Sequence, residues 1–147
     1  MGRSRSQSIV VRGNKILLVK QNSGKVFYCL PGGGIEPDET PEMAALRELK
    51  EECNVDGKIV MRTSVQYNPR NDGDVYTFLV DIAESQASTG RDPERIRQTI
   101  IGVEWKQLDE ISERDRAYLW SAGLKSIPAF YRILHSWGDD ISYPVYG

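Results

Sequence analysis

The sequence predicts a mixed fold of helices and strands, in the α/β (α+β) class. Runs of alternating polar and apolar residues, which are typical of half-buried strands, recur between residues 8 and 105. One stretch in the middle of the chain and a longer region after residue 108 instead have apolar residues at helical spacing. Because strand patterns are mixed with these helical ones, we expect a mixed β-sheet with helices on both faces.

The strands are predicted from alternation and from the turn residues that separate them. Residues 8–11 and 15–20 flank Gly13-Asn14 and are predicted to form an antiparallel hairpin. Residues 27–30 are predicted to form a short strand that runs into a turn at Pro31-Gly32-Gly33-Gly34. Further strands are predicted at residues 58–67, 74–82 and 100–105.

The helix in the middle of the chain is predicted to start after Thr40. Thr40 is a favoured N-cap residue, and proline at position 41 suits the first helical position. Through residue 53 one face of this helix is narrowly apolar, and we expect that face to dock on the sheet. The residues of this apolar stripe are Ala45, Leu46, Leu49 and Cys53.

The last third of the chain is predicted to be helical. A first helix is expected over residues 108–124, and Ser126 to Pro128 open a second one that stops at Gly138. His135, the only histidine, lies near the end of the second helix, where a polar surface role is sufficient. Packing is the expected role of the apolar residues that recur along it, which are Ala129, Phe130, Ile133, Leu134 and Trp137.

Length, composition and charge suit one domain that covers residues 1–147. A chain of 147 residues with 39% hydrophobic content can bury about 68 to 70% of the surface that its unfolded form exposes. Residues 34–52 carry seven acidic and two basic side chains, a local charge of −5 within a net charge of −2. Because duplex nucleic acid is bound through basic surfaces, this balance argues against such a partner.

The sequence also gives expectations for location and for the cysteines. No run approaches 18 apolar residues, and no apolar segment follows the basic start of the chain. We therefore expect no membrane association and a cytoplasmic protein. Cys29 and Cys53 are expected to be buried, reduced thiols, because two cysteines without a nearby histidine make neither a disulfide framework nor a nucleophile site.

Three carboxylates are predicted to lie on one side of the helix in the middle of the chain. At about 100° per residue, Glu48, Glu51 and Glu52 project within an arc of roughly 100°. Like charges at such spacings destabilise a bare helix by roughly 0.2 to 0.5 kcal/mol per pair, so a compensating partner is needed. Carboxylate oxygens on a rigid element suit Mg²⁺ or Mn²⁺. The cluster therefore predicts a divalent metal site.

Most glutamate-rich helices are only solvated surfaces, but this one is part of a longer pattern. Residues 33–55 resemble the Nudix box of the MutT-like hydrolases, which reads Gly, five residues, Glu, seven residues, Arg-Glu-aliphatic-any-Glu-Glu-any-Gly-aliphatic. Asn54 departs from the pattern where the family usually has glycine, and asparagine is the usual substitute at a left-handed position after a helix. The matching residues are Gly33, Glu39, Arg47, Glu48, Leu49, Glu51, Glu52 and Val55. The resemblance implies an α/β/α sandwich around a mixed β-sheet.

The resemblance also implies roles for the residues of the box. The carbonyl of Gly33 matches a backbone metal ligand of the family and joins Glu48, Glu51 and Glu52 in the expected metal site. Arg47 matches the residue that orients the neighbouring glutamate, and Glu39 matches an acid that supports Arg47. Relatives take their general base from the box, here Glu48, or from a later loop. The later candidates are Glu94, also a candidate metal ligand, and then Glu104.

The activity implied by the resemblance is hydrolysis, dependent on Mg²⁺ or Mn²⁺, of a nucleoside diphosphate linked to another moiety. A nucleoside triphosphate or a nucleotide sugar is such a substrate, and base recognition has several aromatic residues available. Two alternatives stay open: a Nudix-like domain that senses a nucleotide without cleaving it, and an isomerase acting on a prenyl diphosphate. A homodimer is also common on this scaffold. The aromatic candidates are Phe27, Tyr28, Tyr67, Tyr76 and Trp105.

Overall fold

A computed structural model of the chain describes residues 3–22, 24–70, 72–90, 100–111, 119, 122–124 and 127. Within these residues the fold has strands throughout and one α-helix between them, which confirms the α+β class. No helix in these ranges is long and apolar enough to cross a membrane. The elements in chain order are β1 (Arg5–Ile9), β2 (Val11–Arg12), β3 (Lys15–Asn22), β4 (Val26–Cys29), β5 (Gly32–Gly34), α1 (Pro41–Cys53), β6 (Lys58–Asn68), β7 (Gly73–Asp81), β8 (Ile100–Gln107) and a 3-10 turn (Leu108–Glu110).

The strands form two sheets. The first is mixed and has the order β5-β1-β7-β6, with β1 parallel to β7 and antiparallel to β5. The second is antiparallel and centres on β3, which pairs with β2, β4 and β8. The chain changes sheets at Val10, between β1 and β2. The backbone N–H of Leu17 donates to the carbonyl of Val10 at 2.9 Å and so ties the two sheets together there.

The helix α1 packs on one face of the sheets through its apolar stripe. Ala45, Leu49 and Cys53 have no exposed surface and share a core cluster with Phe78 and Val80 of β7. Burying these side chains favours folding by roughly 25 cal/mol per Å² of apolar surface removed from water. Because the docked face is fixed, the opposite face of α1, which carries the glutamates, is fixed too.

The other face of the sheets is covered by residues from the last third of the chain. Ile9 and Leu18 lie in a second core cluster with Leu119, Leu124 and Ile127. The alternation predicted along β7 is observed, since Phe78 and Val80 face α1 whereas Leu79 packs against this second cluster. The sheets are thus covered on both sides, as the resemblance implied.

The structure corrects three predictions of local structure. The glycine segment predicted as a turn is strand β5, which pairs with β1. The strand predicted at residues 8–11 is divided between β1 and β2, so the hairpin with β3 contains only Val11–Arg12. The first three residues of the helix predicted at residues 108–124 form a 3-10 turn, Leu108–Glu110, and most of the rest of that range lies outside the described residues. The second predicted C-terminal helix, with His135, also lies outside them.

The remaining predicted elements are confirmed within a residue or two at each end. The helix occupies Pro41–Cys53, with Thr40 as its N-cap and Asn54 in the left-handed conformation at its end. The side-chain oxygen of Thr40 accepts a hydrogen bond from the N–H of Met43, which satisfies one of the free donors of the first turn. Cys53 is buried and Cys29 is half-buried, and the two do not form a disulfide with each other.

Candidate active site

The glutamates of α1 line an open cleft of about 570 Å³. One side of the cleft is the polar face of α1, and the backbone of strand β5 lies next to it. Arginines from the N-terminal segment complete the cleft on the side of β1. The lining residues are Arg3, Arg5, Gln21, Gly32, Gly33, Gly34, Glu36, Arg47, Glu48, Glu51 and Glu52.

Two of the cleft carboxylates are almost fully buried. Only 5% of the surface of Glu48 and 4% of that of Glu52 is exposed. Burying a charged group is costly unless it is hydrogen-bonded or paired, and both carboxylates have such partners. The backbone N–H of Gly32 donates to Oε1 of Glu52 at 2.7 Å, which joins α1 to strand β5.

Arg47 connects the acidic side chains to one another. Its Nε and Nη2 donate to the two carboxylate oxygens of Glu39 at 2.7 and 2.9 Å, a bidentate contact. Its Nη1 donates to Oε1 of Glu48 at 3.0 Å and to Oε2 of Glu51 at 3.2 Å. Nη2 also donates to the carbonyl of Gly34 at 3.0 Å. The planar guanidinium therefore fixes three carboxylates and the glycine strand in one arrangement.

The electrostatics of this network keep both members of the bidentate pair charged. The hydrogen bond from Arg47 holds the pKa of Glu39 below its ordinary value, against the opposing effect of burial. The same hydrogen bond raises the pKa of Arg47 further above its ordinary value. Arg47 is thus a permanent cation, placed beside the carboxylates whose mutual repulsion required a compensating charge.

Gly33 lies directly against the carboxylate of Glu48. A Cβ atom built at Gly33 would be 2.6 Å from Cδ of Glu48, closer than any real contact of a Cβ atom. Only glycine therefore allows the backbone of β5 and this carboxylate to approach each other at this point. The arrangement puts the main chain of β5 next to a carboxylate, and carbonyl and carboxylate oxygens are the ligands that hard divalent cations take.

A family comparison identifies the fold to which this cleft belongs. The sequence model of the protein family described as NUDIX domain matches residues 2–129, which is most of the chain. The chain belongs to the Nudix domain family. The Nudix box predicted from the sequence therefore lies at the cleft, with its helix, its glycine strand and its arginine in contact with one another.

Individual relatives of this Nudix chain match it over part of their length. It is 37% identical over 90 residues to the ADP-ribose pyrophosphatase of Methanocaldococcus jannaschii, an alignment that covers 57% of this chain and 53% of that protein. It is 35% identical over 74 residues to diphosphoinositol polyphosphate phosphohydrolase 3-alpha of Mus musculus, covering 50% of this chain and 45% of that protein. The chain spans about half the length of these curated relatives.

Solved structures show the same fold. A NUDIX hydrolase from Nitrosomonas europaea superposes with a TM-score of 0.65 at 23% sequence identity. The match covers 78% of this chain and 62% of that one. At this level of identity the likeness supports the Nudix fold alone.

The predicted residues of the box are brought together, whereas Glu104, one of the two later candidates, lies elsewhere. Gly33, Glu48, Glu51 and Glu52 line the cleft, and Glu39 contacts it through Arg47. Glu104 is not among the cleft residues. It lies on β8, where its Oε2 is 3.8 Å from Nζ of Lys106 and its side chain raises the pKa of Tyr28 through a hydrogen bond. Glu94 lies outside the described residues.

The carboxylates of the Nudix cleft are held by protein partners. In the described part of the chain, no three acidic, histidine or cysteine side chains already surround a common metal position. Nη1 of Arg47 donates hydrogen bonds to Glu48 and Glu51, and Glu52 accepts a hydrogen bond from the N–H of Gly32. The donor set nevertheless fits Mg²⁺ or Mn²⁺ chemically, because these ions take carboxylate and carbonyl oxygens together with water.

The structure adds cleft residues that the sequence did not single out. Arg3, Arg5 and Gln21 line the cleft, although they precede the box by many positions in the chain. Arg3 and Arg5 reach it because β1 pairs with β5, with Arg5 opposite Gly34 in the register, whereas Gln21 lies on β3. This pairing joins segments about thirty residues apart, and the glycines of β5 give no alternation that would have predicted it.

A second cavity of about 570 Å³ lies on the other side of β1. Nε2 of Gln7 donates to the hydroxyl of Thr77 at 2.9 Å at this cavity, and Gln7 is opposite Gly32 of β5. Of the five aromatic candidates for base recognition, Tyr67 lines this cavity, whereas Tyr76 packs against the core. The lining residues are Gln7, Ser64, Gln66, Tyr67, Asn68, Pro69, Arg70, Val75, Thr77 and Ala122.

Proposed function

We propose that this Nudix chain is a hydrolase, dependent on Mg²⁺ or Mn²⁺, that cleaves the pyrophosphate linkage of a nucleoside diphosphate joined to another moiety. The observation that carries the proposal is the buried acidic face of α1, held by Arg47 against the glycine strand β5. Such an arrangement is expensive to build for structure alone, because buried like charges repel one another. It is well suited to a site that must bind cations and phosphates.

The cation would be held by the side chains of Glu48, Glu51 and Glu52 and by the carbonyl of Gly33. When bound, a divalent cation neutralises charge on phosphate oxygens and makes a water molecule easier to deprotonate. The protein contributes rigidity, since the bond from Gly32 N–H to Glu52 and the contacts of Arg47 with Glu48 fix two of these side chains. Residues that hydrogen-bond to metal ligands and hold them in place typically sustain metal affinity and activity.

Glu48 is the proposed general base. Its carboxylate is oriented by Nη1 of Arg47 at 3.0 Å and lies over Gly33, facing the cleft. In the proposed step the oxygen of a water molecule attacks phosphorus, its proton passes to Glu48, and the phosphorus–oxygen bond to the leaving phosphate breaks. Glu39 is a positioning residue, because it acts on the site through Arg47.

The second cavity is proposed to hold the moiety that is not hydrolysed. It lies one strand away from Gly32, and neighbouring strands are only about 4.8 Å apart. The amides of Gln7, Gln66 and Asn68 offer both donors and acceptors, and Tyr67 offers an aromatic face. These groups match the edges and faces of a nucleobase.

The names of the relatives support a pyrophosphate substrate class. One acts, by its name, on ADP-ribose, and another on diphosphoinositol polyphosphates. Both names describe a phosphate anhydride joined to a larger moiety. The chain shares about half of each relative's length, so we propose the class of bond that is cleaved and leave the moiety to experiment.

The proposal is tested by chromatographic detection of the products that form with Mg²⁺ from nucleoside triphosphates, nucleotide sugars, ADP-ribose and dinucleoside polyphosphates. Glu52→Gln should abolish turnover but keep the fold, because the glutamine carbonyl can still accept from Gly32 N–H. Glu42→Gln, on the exposed first turn of α1, is the matched control and should retain activity. Full activity in Glu52→Gln would falsify the proposed metal-ligand role.

A sensor that binds a nucleotide without cleaving it is the second candidate. The observation in its favour is that Arg47 and Gly32 N–H already occupy the acids of the cleft, as in a purely structural network. Saturable binding by calorimetry with no product from any compound of the panel would establish this function instead. An isomerase would be revealed by rearranged rather than hydrolysed product.

A further inference from the structure

The cleft has a cationic side that faces the acidic face of α1. Arg3 and Arg5 both line it, and both belong to the segment that leads into or forms β1. Glycine strand β5 separates them from the glutamates. The cleft therefore has the guanidinium groups of Arg3 and Arg5 on the strand side, next to Glu36, and the carboxylates of Glu48, Glu51 and Glu52 with Arg47 on the helix side.

Arg47 does not provide this cationic side, because its donors are used within the protein. Nε and Nη2 are taken by Glu39 and the carbonyl of Gly34, and Nη1 by Glu48 and Glu51. Any substrate anion that needs a guanidinium partner in this cleft must therefore find it in Arg3 or Arg5.

Arg3 is positioned next to strand β5 by a weak tether. Its Nη2 is 3.3 Å from Oε1 of Glu36, in an ion pair whose side chains are 64% and 55% exposed. A Cβ atom at Gly34 would be 2.6 Å from this same nitrogen, so the missing side chain makes room for the guanidinium. Exposed ion pairs contribute little stability, so Arg3 can exchange Glu36 for a phosphate at small cost.

Arg5 is positioned by the sheet. Its Cα is opposite Gly34 of β5 and Val75 of β7, so its place beside the cleft is fixed on both sides of β1. Its side chain is exposed and takes part in none of the ion pairs between described residues. A fixed backbone with an exposed guanidinium that forms no ion pair with another described residue is a suitable binding partner for a phosphate oxygen pair.

We propose that Arg3 and Arg5 bind a phosphate group of the substrate other than the two in the cleaved linkage. This inference rests on the proposed function, since it assumes that the cleaved linkage lies at the glutamates. Cations at the glutamates and guanidinium groups repel each other, which favours separate phosphates for each. The substrate class is then one with three or more phosphates in a chain, or with a phosphate on the second moiety.

The experiment compares substrates that differ only in this extra phosphate. The first pair is a dinucleoside diphosphate and the corresponding triphosphate, and the second is ADP-ribose with and without a 2′-phosphate. The double variant Arg3→Gln and Arg5→Gln should lower kcat/KM for one phosphate-rich member by at least about 10-fold, as for a lost charged hydrogen bond. The two-phosphate member should change by less than about 2-fold. The pair that responds identifies where the extra phosphate is.

Arg62→Gln is the matched control, because Arg62 is also an exposed strand arginine and lines neither cavity. It should leave every substrate unchanged. Equal losses for both members of each pair, or no loss for any, would overturn the role of Arg3 and Arg5.

A binding measurement separates this inference from the hydrolase proposal. Calorimetric titration with inorganic tripolyphosphate, without metal, requires no turnover. We expect wild-type protein and Arg62→Gln to bind it and the double variant to bind at least about 10-fold more weakly. If the wild type hydrolyses nothing, the hydrolase proposal fails while this difference still tests the arginines. Equal binding by all three proteins contradicts the inference.

Discussion

At the scale of single residues, the site depends on contacts that tolerate little change. Arg47 makes hydrogen bonds to Glu39, Glu48 and Glu51, and Gly33 lets the backbone lie against one of these carboxylates. The identity of each residue was predictable from the spacing of the box. The support of Arg47 by Glu39 was expected, whereas the bond from Arg47 to the carbonyl of Gly34 depends on the position of β5 and was not.

Gly33→Ala tests the close approach at Glu48. The added methyl group would have to displace the carboxylate or the strand, so we expect activity to fall by more than about 10-fold. Gly102→Ala is the matched control, because a Cβ atom there meets nothing within 4 Å. Kinetic assays and thermal unfolding of both variants provide the measurement. Equal activity of the two would contradict the proposed crowding.

Glu39→Gln tests the charge of the bidentate pair through pH. The pKa of Glu39 is lowered in the folded protein, so its stabilisation is complete above the ordinary value of 4.5 and is lost as pH falls through the lower folded value. The variant should therefore have a lower Tm than the wild type at pH 7, with a difference that shrinks toward pH 3. Thermal unfolding in chelator is the measurement. A difference that stays constant with pH would count against the charged pair.

At the scale of elements, α1 was predictable because its signals are local. Thr40, Pro41 and the apolar stripe lie within a few residues of one another, and the structure has the helix at Pro41–Cys53. Strand β5 was not predictable in the same way. Its glycines carry no side-chain alternation, and its partner β1 is distant in the chain. Arg3 and Arg5 were not predicted for the same reason, because the pairing of β1 with the distant β5 brings them into the cleft.

The end of α1 provides a test of the one departure from the family pattern. Asn54 has φ 58° and ψ 38°, and its N–H donates to the carbonyl of Lys50. Asn54→Gly should keep the protein at least as stable, because glycine adopts this conformation freely. Asn54→Ala should lower the free energy of unfolding by about 1 kcal/mol, since the left-handed conformation strains a Cβ atom. Chemical unfolding measures both, and equal stabilities would contradict the capping role.

At the scale of the whole molecule, the two core clusters explain why the cleft is rigid on one side and open on the other. The apolar face of α1 is locked to β7 by Leu49, Phe78 and Val80, so the glutamates cannot turn away from β5. The class of fold followed from mixed strand and helix patterns, and the sandwich from the family resemblance. The division into two sheets at Val10 could not be predicted from the sequence, because the apolar strand pattern continues through residue 10 without a break.

The central claim is that Glu48, Glu51, Glu52 and Gly33 bind divalent cations together. The most direct measurement is Mn²⁺ binding by electron paramagnetic resonance titration, with anomalous scattering from manganese-soaked crystals to locate the ion. We predict a manganese peak beside Glu52 in the wild type and in Glu42→Gln, and its loss together with weaker binding in Glu52→Gln. Absence of manganese from this cleft, or undiminished binding by Glu52→Gln, would contradict the claim.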